Sequence, residues 1–231
     1  MQLGPRGLRR ADGRIAIVSY GDGVYAPYLD RLRASVRAHS PKIPVFAFTD
    51  LADIGSPSHA DNPYAFKVYA IETVRRMGYR YVLWCDSILQ LQRPIEPLLS
   101  EITARGVYLA KDGWACGTWA NDRALQAFGV SRDQAMEITS IWACFMGFDF
   151  AVPKAQEFFA RWKQACEDGL FRGLHYDTEM RDSQDPRYRG HRHDQTCAEL
   201  VAYMVGISPG PHVLSPNPGD PNRYFTGREL W

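Results

Sequence analysis

The sequence predicts a single α/β domain in which a mainly parallel sheet is flanked by helices, and three observations carry that prediction. Tyr79 to Cys85 (YRYVLWC) is an apolar and aromatic run of strand length, the pattern of a strand covered on both faces. Strand-like and helix-like segments alternate from Arg14 to Asp86, and parallel strands require such crossovers. A chain of 231 residues that is 45% hydrophobic and 23% charged can also bury a full core.

Arg14 to Tyr20 (RIAIVSY) reads as the first strand, broken by Gly21-Asp22-Gly23. Tyr25 to His39 then sets Tyr28, Leu29, Leu32 and Val36 at helical spacing. Ile43 to Phe48 is the second strand, with Pro41 and Pro44 at its entry and Thr49-Asp50 at its end. A loop rich in Gly, Ser, Pro and Asp runs to Asp61. The next helix spans Asn62 to Met77, with Pro63 expected in its first turn, where a missing N–H costs nothing. Its apolar face is expected at Phe66, Tyr69, Ala70, Thr73, Val74 and Met77, with Lys67 bordering it. Gly78 suits the helix end, and the third strand then runs to Asp86. Further on, Gly106 to Ala110 and Ile141 to Phe148 read as strands, and Lys154 to Glu167 and Asp194 to Val205 as helices. From Ser208 the chain is loop-like, with Pro209, Pro211, Pro216, Pro218 and Pro221 in succession. The expected organisation is an N-terminal extension over 1–13, one domain over 14–207, and a loop-rich tail over 208–231 packed on that domain.

A net charge of +1 supplies no overall field for nucleic acid or an acidic membrane. The five cysteines are odd in number, widely spaced and without a CxxC pair, so they suggest reduced core thiols and neither a disulfide framework nor a zinc site. After Arg6, Arg9 and Arg10 the apolar stretch is only Ile15 to Val18, too short for a signal-peptide core or a membrane span. The expectation is a cytoplasmic protein with no membrane span.

In an open α/β sheet ligands bind beyond the carboxyl ends of the strands, which is where Asp86 falls. A carboxylate there suits a divalent cation that holds a diphosphate, or it caps the backbone that follows. Lys67 reads equally as a site residue and as a solvated helix residue. His191 and His193, with one Asp and no nearby Cys, are a weak zinc set. Asp194 before Gln195-Thr196-Cys197 is a good helix start, a role compatible with chemistry. Trp114, Trp119 and Trp142 suit either sugar stacking or the core.

Taken together, RIAIVSYGDGVYAPYLDRLRASVRAH, IPVFAFTD, NPYAFKVYAIETVRRMGYRYVLWCDS and HRHDQTCAELVAYMVG resemble a nucleotide-sugar glycosyltransferase of the GT-A fold, over Arg14 to Gly206. The resemblance implies a GT-A-like, Rossmann-like mixed sheet and transfer of a sugar from a nucleotide diphosphate sugar to an acceptor hydroxyl. It would set Ser19, Tyr20 and Asp22 beside the nucleoside and Asp50 near the base or ribose. Lys67 and Arg192 would reach the diphosphate or sugar, Asp86 and Ser87 would form the metal motif, and Asp194 and Gln195 would face the transferred sugar. The family motif is Asp-x-Asp, whereas this chain reads Asp86-Ser87-Ile88 and has no second carboxylate. The implied cofactor is Mn2+ or Mg2+, with Ser87 and the late His212 as further ligands. The alternative is a metal-independent reaction in which Arg and Lys neutralise the leaving diphosphate, for which Arg187 to His193 (RYRGHRH) has the composition. The acceptor, whether glycan, lipid, protein or modified nucleic acid, and the oligomeric state stay open, as does inversion against retention. Two other classes remain: a non-catalytic nucleotide-sugar or glycan binder on a decayed transferase fold, and a nucleotidyltransferase. Against the last, Tyr20-Gly21-Asp22-Gly23 carries no Lys or Arg.

Overall fold

The structure is a computed structural model and describes residues 14–214, 219–220 and 223–227. The expected extension over 1–13 lies outside the described residues, as does part of the tail. The elements in order are β1 (Ile15–Tyr20), α1 (Ala26–His39), β2 (Val45–Phe48), α2 (Ala65–Arg76), β3 (Tyr81–Cys85), β4 (Gln90–Leu91) and α3 (Leu98–Arg105). They continue with β5 (Val107–Ala115), α4 (Asp122–Phe128), α5 (Arg132–Glu137), β6 (Thr139–Asp149), α6 (Pro153–Glu167), α7 (His193–Val205) and β7 (Phe225–Thr226).

Five strands form one sheet in the order β2-β1-β3-β6-β5. β1 runs parallel to both β2 and β3, while β6 is antiparallel to β3 and β5, so the sheet is mixed and mainly parallel. The apolar run at β3 lies between β1 and β6, and Val82, Leu83, Trp84 and Cys85 are fully buried, as a strand covered on both faces requires. One face of the sheet packs on α2, α6 and α7 through Val68, Ile71, Phe158, Trp162, Cys197 and Val201. The other packs on α1, α3 and the tail through Leu32, Val36, Ile102, Val213 and Phe225. α3 comes close because Gly147 faces it: a Cβ there would lie 2.7 Å from Ile102 Cδ1.

Several expectations change. Pro63 lies in the turn before α2, because Asn62 is tied to the Cys166 carbonyl (2.8 Å) and Tyr64 takes a left-handed backbone, φ 60°, at the helix start. The buried residues of α2 are Ala65, Lys67, Val68, Ala70, Ile71, Glu72 and Val74, while Met77 is exposed. The reason is that α2 is wedged between the sheet and α6, so it buries a broader face than a single stripe. β5 extends past Ala110 to Ala115, with register shifts after Leu109 and Lys111 that hide its alternation. β4, α3, α4, α5 and β7 are short elements that the pattern did not announce. The tail holds to the edge strand: Gly210 N–H donates to the Leu109 carbonyl (2.8 Å) and Lys111 N–H to the Gly210 carbonyl (3.1 Å). Among the described residues no helix is long and apolar enough to cross a membrane.

Candidate active site

The carboxyl end of β3, the middle of β6 and the start of α7 meet around one buried ammonium. Lys67, on α2, is 4% exposed, and its Nζ lies 3.0 Å from Asp194 Oδ2, 3.3 Å from Asp86 Oδ1 and 3.0 Å from the Ala143 carbonyl oxygen. Tyr64 and Trp84 place their rings 5.4 and 5.7 Å from that nitrogen. Burial opposes the charge on Lys67, yet the two carboxylates outweigh it and hold the ammonium above its ordinary pKa. Asp194 goes the other way: burial raises its pKa to about 6, with Lys67 offsetting only part of the cost and the Asp86 charge adding to it. Asp86 is the accessible member, its side chain 30% exposed, and its Oδ1 also accepts from Trp84 Nε1 at 2.7 Å.

The start of α7 is fixed from several sides. Trp162 Nε1 donates to the Asp194 carbonyl (2.9 Å), and Thr196 Oγ1 donates to the Trp119 carbonyl (2.6 Å). The His-Arg-His sequence builds a chain of neutral rings. Arg192 donates to His175 Nε2, His175 Nδ1 faces His193 Nε2 at 3.4 Å, and His193 Nδ1 donates to the Phe171 carbonyl at 2.8 Å. Burial lowers the His193 pKa to about 4. His191 is fully buried; its Nδ1 accepts from Asn121 N–H and its Nε2 donates to the Leu170 carbonyl, and burial lowers its pKa to about 3. These histidines anchor the 170–192 loop. Both Tyr64 and His193 have positive φ, 60° and 52°, and their rings lie 5.2 Å apart beside Lys67. Left-handed backbone at bulky residues costs about 1 kcal/mol or more each, and such strain gathers at functional sites.

On one side of the ammonium lies an aromatic cluster. Tyr20 stacks on Phe66 at 4.8 Å, Phe66 lies 6.0 Å from Trp84, and Tyr20 Oη donates to Asp22 Oδ2 at 2.8 Å. Burial and the Asp22 carboxylate raise the Tyr20 pKa. Asp22 and Asp50 are exposed, and Asp50 caps the turn after β2 by accepting from Ala52 N–H at 2.9 Å. On the other side Gln195 Nε2 lies 3.3 Å from both Ser140 Oγ and Glu199 Oε1. Beyond it the Arg192 guanidinium sits 4.0 Å over Trp119 and 5.0 Å over Tyr176, with Trp114 edge-on to Trp119. Trp114 and Tyr176 are both well exposed.

Other expected site residues are placed differently. Ser19 is fully buried and its hydroxyl has no partner among the described residues, because β1 is covered on both faces; it does not reach the cleft. Ser87 is buried and packs on Gly21. Lys67 is buried and points into the carboxylates. The His212 ring lies 5.6 Å from Trp142 and feels the Asp112 and Asp220 carboxylates. The tail that carries it is pinned to β5, two strands from β3.

A divalent cation needs several converging oxygen ligands. Here one carboxylate is available, Ile88 stands where a second is needed, and among the described residues no three His, Cys, Asp or Glu gather to hold a metal. The residues present do not fit the ion.

Sequence reasoning missed Trp84, Tyr64, Ser140 and Glu199. Two of these were readable: Trp84 and Asp86 share a side of the strand at i,i+2, and Gln195 and Glu199 share a helix face at i,i+4. Glu199 is 1% exposed, accepts from Ser140 Oγ (2.6 Å) and Ile141 N–H (2.9 Å), and has its pKa raised by burial to about 7. It also lines a cavity of about 420 Å³ with Glu137, Thr139 and Tyr203, which Lys67, Asp86 and Asp194 do not border.

No protein-family model and no curated protein matches the chain. Solved structures do. The chain is similar to the apo form of WbbM, a bifunctional glycosyltransferase, at 14% identity and TM-score 0.48, over 93% of this chain and 41% of that one. It is also similar to the galactosyltransferase LgtC in complex with donor and acceptor sugar analogues, at 14% identity and TM-score 0.36, over 67% of this chain and 66% of that one. The chain thus spans about two fifths of the length of WbbM.

Proposed function

We propose that this chain is a GT-A-like glycosyltransferase that moves a sugar from a nucleotide diphosphate sugar to an acceptor hydroxyl. The observation that carries the reading is the convergence of Asp86, from the end of β3, and Asp194, from the start of α7, on one buried cation beside an aromatic cluster. The nucleoside would rest against Tyr20, Phe66 and the exposed Asp22 and Asp50. The Asp86 carboxylate and the half-buried Gln195 amide would touch the sugar, while Asp194, its side chain 4% exposed, positions both the helix start and Lys67. The exposed rings of Trp114 and Tyr176 offer an acceptor sugar a surface for its C–H face. Orientation of the acceptor hydroxyl against the anomeric carbon would supply the rate.

Calorimetric titration with a panel of uridine and guanosine diphosphate sugars is the test. Binding of at least one member, followed by sugar release or transfer, is expected; no heat and no thermal shift with any member would end the proposal. A second reading, a nucleotide-sugar binder without turnover, is favoured by the burial of the Asp194 carboxylate, and binding without any release of sugar would establish it.

A further inference from the structure

The cation at the centre of this site is part of the polypeptide. The inference rests on the proposed donor site and concerns what neutralises it. Lys67 Nζ donates to the Ala143 carbonyl and forms ion pairs with Asp194 Oδ2 at 3.0 Å and Asp86 Oδ1 at 3.3 Å. Tyr64 and Trp84 close its flanks, so the group is held in place on all sides. Asp86 Oδ1 is shared between this ammonium and the Trp84 indole, which leaves a divalent ion only the other oxygen of the same carboxylate. An ion bound there would stand a few ångströms from the buried Lys67 ammonium and would be repelled by it. Neither Ile88 nor the buried Ser87 supplies a second carboxylate, and among the described residues no three His, Cys, Asp or Glu gather to hold an ion.

We infer that Lys67 is the built-in counter-ion of this centre, and that nucleoside diphosphates bind here without a divalent cation. The lysine offsets one of the two carboxylate charges that would otherwise face a diphosphate, and it ties Asp86 to Asp194. Lys67 is therefore a positioning residue, not one that touches the donor.

The test titrates manganese into the full chain, alone and with UDP-glucose, UDP-galactose or GDP-mannose, and follows free manganese by its paramagnetic signal while calorimetry reads nucleotide affinity. The unmodified chain is expected to take up no manganese, with the nucleotide Kd in chelator and in millimolar manganese agreeing within about twofold. Stoichiometric uptake, or a Kd tightened about tenfold or more by manganese, overturns the inference. Lys67→Met is the complementary variant: once the counter-ion is gone, manganese uptake should appear and nucleotide binding should come to depend on it by about tenfold. A folded variant, judged by circular dichroism, that takes up no manganese overturns the role of Lys67; if the variant does not fold, the titration of the unmodified chain decides. Failure of every nucleotide to bind removes the transferase reading, and the manganese titration of the chain alone still decides this one.

Discussion

Two ion clusters sit at opposite ends of β3, and they are built on opposite principles. At the start of the strand Arg80 grips the fully buried Asp149 through two parallel bonds, Nε to Oδ1 at 2.8 Å and Nη2 to Oδ2 at 2.7 Å, and Ala151 N–H adds a third at 3.0 Å. Burial works against the Asp149 charge, but these bonds outweigh it and hold the carboxyl below its ordinary pKa. At the far end one ammonium serves two carboxylates, and the buried Asp194 stays above its ordinary range. One carboxylate with its own fork-shaped partner is saturated, and its role is architectural. Two carboxylates sharing one point charge leave the native state with unrelieved repulsion, which is typical of functional sites and not of cores.

The largest expected effect breaks the architectural cluster. Arg80→Met leaves a buried carboxylate without its cation and should cost about 3 to 5 kcal/mol of stability, read as a lowered denaturant midpoint. Nucleotide binding measured below that midpoint should be unchanged, and a selective loss of binding with normal stability would reverse the assignment of the two ends.

Protonation separates the clusters by sign. The Asp194 pKa is about 6 in the fold against an ordinary 3.8, so the native state binds the extra proton between those values. Its contribution is fully present below about 4 and is lost as pH rises through 6, at about 1.4 kcal/mol for each pH step between those limits. Asp149 is depressed, so its contribution is present above its ordinary pKa and lost as pH falls through the folded value. Asp194→Asn should therefore be more stable relative to the unmodified chain at pH 7 than at pH 4, by roughly 3 kcal/mol in a difference of unfolding curves. Turnover should fall more than donor affinity. Glu199 contributes a slope of the same sign and His191 and His193 of the opposite sign, so only the difference between the two chains isolates Asp194. A difference that does not change with pH would show that Lys67 keeps Asp194 ionised throughout.

Asp86→Asn keeps the shape and the indole hydrogen bond but removes the accessible charge. The fold should be intact by its melting temperature, while sugar release drops about tenfold or more, about 1.4 kcal/mol in the barrier. Unchanged turnover would move Asp86 to the architectural side of the comparison. The smallest effect belongs to the support behind Gln195. Ser140→Ala removes the hydroxyl that bonds Glu199 and should cost about 1 kcal/mol of stability with a few-fold loss of turnover, measured side by side on the purified variant.

The first half of the fold was legible because its signals are local. RIAIVSY, the Gly21-Asp22-Gly23 break and the YVLWC run state strand, turn and strand through neighbouring residues, and β1, α1, β2, α2 and β3 follow in that order. The second half was harder because β5 is bulged, and the Lys111-Asp112-Gly113-Trp114 stretch reads as a loop while continuing a strand. α3, α4 and α5 are of eight residues or fewer, too short to build a periodic pattern.

At the site, the position of Asp86 followed from a strand end and that of Asp194 from a helix start, both written in a few adjacent residues. That the two carboxylates share one ammonium was not written there, because Asp86 and Asp194 meet only when α6 and α2 pack on the same face of the sheet and Trp162 holds the start of α7. Lys67 shows the limit most sharply. Spacing along α2 put it at the border of an apolar face, and a lysine at such a border ordinarily reaches for water. Its direction was decided by Asp194, which arrives from a distant part of the chain, and by Tyr64 and Trp84, which close the exit. The chain by itself thus determines which segments become strands and helices and which residue types stand at their ends; the tertiary structure alone decides which of those ends share a charge, because burial and pairing depend on contacts that no sequence neighbour supplies.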